Sequence, residues 1–109
     1  MLKIYVAGKY SDPNIINVLG NIREGIKMSA KLLSLGYAPF CPFLDYQFQF
    51  YEPDLKVEDY YAYSLTWLNS CDAMLVLPGY KSSKGTLAEI DTAKISGIPI
   101  YYSLEDLIK

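Results

Sequence analysis

Four short apolar runs punctuate this chain, at residues 2–7, 37–41, 73–77 and 99–102, and each is followed by a helical stretch or a capped helix start. Runs of this length suit buried strands, and the stretches between the first three are long enough for a crossover helix. Strand–helix alternation of this kind confines the chain to an α/β fold with a parallel sheet and helices on both faces. The expected element order is β-α-β-α-β-α-β-α. In such sheets ligands bind beyond the carboxyl ends of the strands, where the strand order reverses. Those ends are residues 8–11 and 79–86, two loops distant in sequence that converge on one crevice.

Local signals set the helices. Asp12-Pro13 reads as an N-cap followed by proline at the first helical position. Ile15, Leu19, Ile22, Ile26, Ala30 and Leu33 recur at three- and four-residue steps and mark one face of a long helix. Gly36 follows, where a left-handed residue closes a helix. Residues 43–53 read as an aromatic loop without periodicity. Residues 57–69 read as a helix carrying Tyr60, Tyr61, Tyr63 and Trp67, more aromatics than one buried face holds, so some are expected at a dimer interface. Residues 86–96 form the next helix, closed by Gly97, and Ser103-Leu104-Glu105-Asp106 opens a short last one.

Composition narrows the function. At 109 residues the chain is expected to be one domain, and 51% hydrophobic residues exclude disorder. No apolar run approaches the roughly 18–20 residues of a membrane span. The N-terminal Met-Leu-Lys-Ile-Tyr-Val lacks the features of a signal peptide, so a soluble cytoplasmic protein is expected. A net charge of −2 argues against a nucleic-acid polymer as partner but leaves room for a small anion. Histidine is absent, which rules out any His-based triad, and two cysteines are too few for a His-free zinc site. Cys41 and Cys71 form no CxxC and read as reduced, half-buried thiols. Acid–base or nucleophilic work therefore falls to Glu, Asp, Tyr, Lys or Cys, and neither a cofactor nor a metal is implied.

The segment that carries chemistry is Leu75-Val76-Leu77-Pro78-Gly79-Tyr80-Lys81-Ser82-Ser83-Lys84-Gly85-Thr86-Leu87-Ala88-Glu89. A buried strand runs into a Ser/Gly loop, and a helix opens that carries Glu89. Such a junction offers backbone N–H groups and hydroxyls to an anion. The Walker pattern is absent, because Gly-Lys-Ser/Thr is missing. Turn and N-cap duties can absorb one of Ser82, Ser83 and Thr86, but hardly all of them, and Gly85 permits close approach of an oxyanion. A solvated helix glutamate is the ordinary reading of a residue like Glu89; its place after Ser-x-Gly-Thr reverses that weighting. Near a helix N-terminus it is expected to stay ionised and suited to attack an electron-poor carbon such as the anomeric carbon of a sugar. After the first strand, Gly8, Lys9, Tyr10 and Ser11 offer a phenol to orient the carboxylate and donors for phosphate. Tyr46, Phe48 and Phe50 stack a base or pack under the loop. Asp72 reads as a cap or turn residue, and Arg23 as a surface charge.

Ile4-Tyr5-Val6-Ala7-Gly8-Lys9-Tyr10-Ser11, Trp67-Leu68-Asn69-Ser70-Cys71-Asp72-Ala73-Met74-Leu75-Val76-Leu77-Pro78-Gly79 and Ser83-Lys84-Gly85-Thr86-Leu87-Ala88-Glu89 together resemble the nucleoside 2-deoxyribosyltransferase-like superfamily, in its small branch named domain of unknown function 4406. The resemblance spans nearly the whole chain. It implies a flavodoxin-like three-layer sandwich whose parallel sheet has four or five strands in the order 2-1-3-4, and cleavage or transfer at an N-glycosidic bond. It implies Glu89 as nucleophile and Tyr10 as its assistant. Nucleoside-using members carry Asp six residues before that glutamate and monophosphate-using members carry Ser; Ser83 implies a 5′-monophosphate. An Asp there would repel phosphate, whereas a serine donates to it. Active relatives carry an aspartate on the base side where this chain has Ser64, which can hydrogen-bond a base but is a poor general acid. Lys9 replaces a common proline, and Phe43 stands where relatives often have His. The resemblance also implies a homodimer or higher homo-oligomer.

Two readings follow from different classes. In one, the chain cleaves or transfers the sugar of a (deoxy)nucleoside 5′-monophosphate, with Glu89 and Tyr10 catalytic and Gly8, Lys9, Ser11, Ser83, Gly85 and Thr86 holding the sugar phosphate. In the other, it binds a nucleotide without processing it. A phosphoribohydrolase variant of the first, prompted by Leu77-Pro78-Gly79 and Gly85-Thr86-x-x-Glu89, lacks the double glycine after the proline.

Overall fold

The computed structural model describes residues 1–109. Strand β1 (Lys3–Ala7) lies between β2 (Ala38–Phe40) and β3 (Ala73–Val76), and β4 (Ile100–Tyr101) pairs with β3. All pairings are parallel, and the four strands stand in the order 2-1-3-4, as the family resemblance implied. The strands are short, and β1 and β3 form the centre in the register Ile4↔Ala73 to Ala7↔Val76. At the start of this pair the Asp72 carboxylate accepts from the Lys3 N–H at 2.7 Å, so Asp72 serves the strand end.

Period-two alternation along β1 and β3 builds two cores. Ile4, Val6, Ala73, Leu75 and Leu77 face helices α1 (Ile15–Ser34) and α5 (Leu104–Ile108) with Leu32, Met28, Leu104 and Leu107. Tyr5, Ala7, Met74 and Val76 face helices α3 (Val57–Leu68) and α4 (Lys84–Ile95) with Leu68, Ile90 and Ala93. Cys41 belongs to the first core and Cys71 to the second; both thiols are free, buried and separated by the sheet. Between β2 and α3, residues 43–53 are not a plain loop. A 3-10 turn (Pro42–Asp45) and the short helix α2 (Phe48–Tyr51) divide them. No helix is long and apolar enough to cross a membrane.

Helix α1 departs from its sequence reading twice. Its N-cap is Asn14, which is extended and accepts from the Ile16 N–H at 2.9 Å. Asp12 sits outside and braces the turn, accepting from Asn14 N–H and Asn17 Nδ2. Pro13 therefore precedes the cap rather than opening the helix. The expected inner face is also displaced. Ile22, Gly25 and Leu32 are buried, whereas Ile15, Leu19, Ile26 and Leu33 are each more than half exposed. The two stripes lie roughly a quarter turn apart on the helix. Gly25 sets the choice, since a Cβ there would stand 2.5 Å from the Phe43 ring, so only a glycine face lets α1 settle against the turn after β2. The helix ends as expected, with Gly36 at φ 92° after the C-cap Leu35.

Candidate active site

A cleft of about 710 Å³ opens beyond the carboxyl ends of β1 and β3, within the range of small-molecule sites. Two helix faces wall it. Val57, Tyr60, Tyr61, Ser64 and Leu65 come from α3, and Gly85, Ala88, Glu89 and Thr92 from α4, each set at the three- and four-residue steps of one helical stripe. On α4 that stripe is made of small residues apart from Glu89, so the wall leaves room where packed helices would close it. Gly8, Tyr10 and Ser11 line the floor after β1, and Phe43, Tyr46 and Gln49 form the aromatic side. Gly8 packs close to Leu77, where a Cβ would come within 2.9 Å of Leu77 Cδ1 and oblige that side chain to shift.

Glu89 is half-buried, and its carboxylate accepts a hydrogen bond from the Tyr5 phenol. The odd-numbered residues of β1 face α4, which is why Tyr5, fully buried beside Phe40, reaches it. Tyr5 is thus the phenol that orients Glu89. Tyr10, given that role from the sequence, lines the same cleft with its ring stacked on Phe43 at 5.8 Å. Tyr5 went unnoticed because a tyrosine inside an apolar strand reads as core; its hydroxyl, which must find a partner when buried, was the available signal. Burial raises the Glu89 carboxyl to about 7, and the Tyr5 hydrogen bond only partly offsets this. The expectation of a permanently ionised carboxylate is thereby corrected. Glu89 lies in the second turn of α4, where the helix dipole has faded and desolvation dominates. Burial and then the Glu89 charge push the Tyr5 phenol far above its ordinary value, while the approach of the Ser64 hydroxyl draws it back.

The Ser/Gly loop leads straight into α4, which starts at Lys84 rather than Thr86 because Ser83 is the N-cap. Ser83 Oγ accepts from both the N–H and the hydroxyl of Thr86, at 3.2 and 2.9 Å. With both lone pairs engaged, the Ser83 hydroxyl proton is left to donate. Ser82 Oγ donates to the Gly79 carbonyl, and Thr86 is buried with its hydroxyl spent on Ser83. Local duties thus absorb more hydroxyls than the sequence suggested. The N–H groups of Lys84 and Gly85 have no acceptor within the chain.

Of the sequence-derived candidates, Gly8, Tyr10, Ser11, Tyr46, Ser64, Ser83, Gly85, Thr86 and Glu89 share this one cleft. Lys9 does not. It turns to a second groove between α1 and α5, where its ammonium pairs with Asp12 at 3.4 Å. Phe48 packs edge-on against Tyr63, and neither it nor the largely exposed Phe50 lines the cleft. The aromatics of α3 are mostly engaged within the chain. Tyr60 donates to Gln49, Tyr63 to Asp45, Trp67 stacks on Phe40, and Tyr61 faces the cleft.

A family described as a domain of unknown function (DUF7768) matches residues 2–103, and not the branch named domain of unknown function 4406 that the motifs suggested. Among solved structures, the fold is similar to that of a 2-deoxyribosyltransferase from the psychrotolerant bacterium Bacillus psychrosaccharolyticus, with 19% sequence identity and a TM-score of 0.66, covering 90% of this chain and 69% of that one. No curated protein matches the chain.

Proposed function

The chain belongs to the DUF7768 family, and from the cleft its residues form we propose that it cleaves or transfers the sugar of a (deoxy)nucleoside 5′-monophosphate at the N-glycosidic bond. One observation carries this reading: Glu89 is the only carboxylate lining the cleft, held by a buried phenol, six residues along α4 from the N-cap serine. The likeness of the fold to a 2-deoxyribosyltransferase supports it.

In this mechanism an ionised Glu89 oxygen attacks C1′ from the face opposite the base. The C1′–N bond breaks, its electron pair leaves with the base, and a glycosyl ester links the sugar to Glu89. Water or a second base then attacks C1′, the ester C–O bond breaks, and the carboxylate is restored. Tyr5 holds the carboxylate by its hydrogen bond throughout. Ser83 donates to the 5′-phosphate with the free N–H groups of Lys84 and Gly85, and Tyr10 with Tyr46 flanks the base. Only the ionised carboxylate is a nucleophile, so turnover rises as pH climbs through about 7.

A second reading, nucleotide binding without turnover, draws on Ser64. The cleft holds no second carboxyl to protonate a departing base, and Ser64 lines it as a neutral hydroxyl. Incubation with the eight common ribo- and deoxyribonucleoside monophosphates, followed by chromatography for free base, separates the two. Base release that disappears in Glu89→Gln supports the enzyme. Silence across the panel, with binding retained in calorimetry, replaces it by the binding module.

A further inference from the structure

Three phenols meet on one side of the cleft. Tyr10, Tyr46 and Tyr60 all line it, and the Tyr10 hydroxyl is pushed above its ordinary value first by burial and then by the neighbouring Tyr60 and Tyr46 phenols. One of the three has a fixed polarity. The hydroxyl of half-buried Tyr60 donates to Gln49 Oε1 at 2.6 Å. Gln49 Nε2 in turn donates to the Pro53 carbonyl at 3.0 Å, with the Glu52 and Leu55 carbonyls each at 3.4 Å. Carbonyls only accept, so the amide nitrogen faces them and the amide oxygen faces Tyr60. A flipped amide would set its oxygen against three others. Tyr60 has thereby spent its one proton on Gln49, and its oxygen is left to accept and not to donate.

We propose that Tyr60, held in this polarity by Gln49, is a specificity-determining residue of the cleft. It selects a base with an amino group at the position farthest from the glycosidic bond, a 4-aminopyrimidine or a 6-aminopurine, over the 4-oxo or 6-oxo counterpart. This inference names the substrate class of the cleft and rests on its reading as a nucleotide site, but not on turnover. Placement supports it. Ser64 lines the cleft close enough to the Tyr5 phenol, the partner of Glu89, to act on it. Tyr60 stands one turn before Ser64 on α3, about 6 Å along the helix axis. That is comparable with the reach of a base from its sugar carbon to its far edge, so C1′ at Glu89 and an exocyclic group at Tyr60 fit one nucleotide. An exocyclic amine donates to the Tyr60 oxygen. An oxo group there sets two acceptors face to face. Turning the Tyr60 proton inward to meet it would strip Gln49 Oε1 of its donor, and an acceptor left unmet under a bound base is the costlier state. Tyr10 and Tyr46 are held by ring contacts, to Phe43 and Phe50, so their hydroxyls turn to suit either base and do not discriminate.

The experiment is calorimetry on the intact protein with two near-isosteric pairs, cytidine against uridine 5′-monophosphate and adenosine against inosine 5′-monophosphate, in ribo and deoxyribo forms. The amino member of each pair is expected to bind about tenfold more tightly or better. Tyr60→Phe should bring the members of each pair to within about twofold, by weakening the amino one. Gln49→Leu keeps Tyr60 but frees its proton to turn inward, so the preference should collapse through a gain by the oxo member. A bridge that served only to tie α2 to α3 would instead lower the melting temperature of both variants and weaken every nucleotide alike. A wild type that binds the two members equally, or prefers the oxo one, overturns the inference, as does a preference that survives either substitution. Base release is scored separately. An amino preference without turnover removes only the enzymatic reading, turnover without that preference removes only this inference, and no binding by any nucleotide removes both.

Discussion

At the scale of single residues, the site is governed by how far a carboxyl is taken out of water. Glu89 sits where burial outweighs both the helix dipole and one hydrogen bond, so its protonation changes near neutrality. Tyr5 is the one partner that favours the charged form. Replacing Tyr5 by Phe removes that donor and raises the Glu89 pKa further. A hydrogen bond to a charged group contributes about 1.5–3 kcal/mol, so the rising limb of the pH–rate profile should move up by roughly one unit or more. At neutral pH this appears as a loss of about fivefold or more in kcat. A profile unmoved by Tyr5→Phe would mean that the phenol does not tune the carboxylate. Glu89, Ser83 and Gly85 were legible at this scale because loop and helix chemistry are local. Tyr5 was not, since its partner Glu89 is set by chain distant in sequence.

Among the elements, α4 joins structure to chemistry through one side chain. Ser83 caps the helix and also faces the cleft, so its two roles separate by substitution. Ser83→Ala should cost about 1 kcal/mol of stability through the lost cap and also weaken monophosphate binding. Ser83→Asp keeps the cap, because aspartate is as good an N-cap as serine, yet sets a negative charge against the phosphate. Thermal melting should therefore leave Ser83→Asp near wild type while calorimetry shows its nucleoside 5′-monophosphate binding reduced more than that of Ser83→Ala. Similar binding by the two variants would remove Ser83 from the phosphate site. Helix α1 teaches the complementary lesson. Its periodicity announced a helix correctly but not which part of a broad apolar surface turns inward, a choice made by Gly25 meeting the Phe43 ring.

For the molecule as a whole, one consequence follows. A carboxyl whose folded value lies near 7, above its unfolded 4.5, binds its proton more tightly in the native state. Its contribution to stability is full below about 4.5 and is lost as pH rises through 7, in total on the order of 3 kcal/mol. The melting temperature of wild type should exceed that of Glu89→Gln less and less across this window as pH increases; parallel curves would refute the buried, protonated carboxyl. The amino-acid sequence by itself determined the strand–helix alternation of a parallel sheet and the loop that holds Glu89 and Ser83, because alternation, caps and glycines act within a few residues; the strand order came from the family resemblance. Only the tertiary structure decided that Tyr5 meets Glu89, that Lys9 leaves the cleft, and that half of the apolar surface of α1 stays outside. Those outcomes depend on which faces of distant elements meet, and on the burial that results.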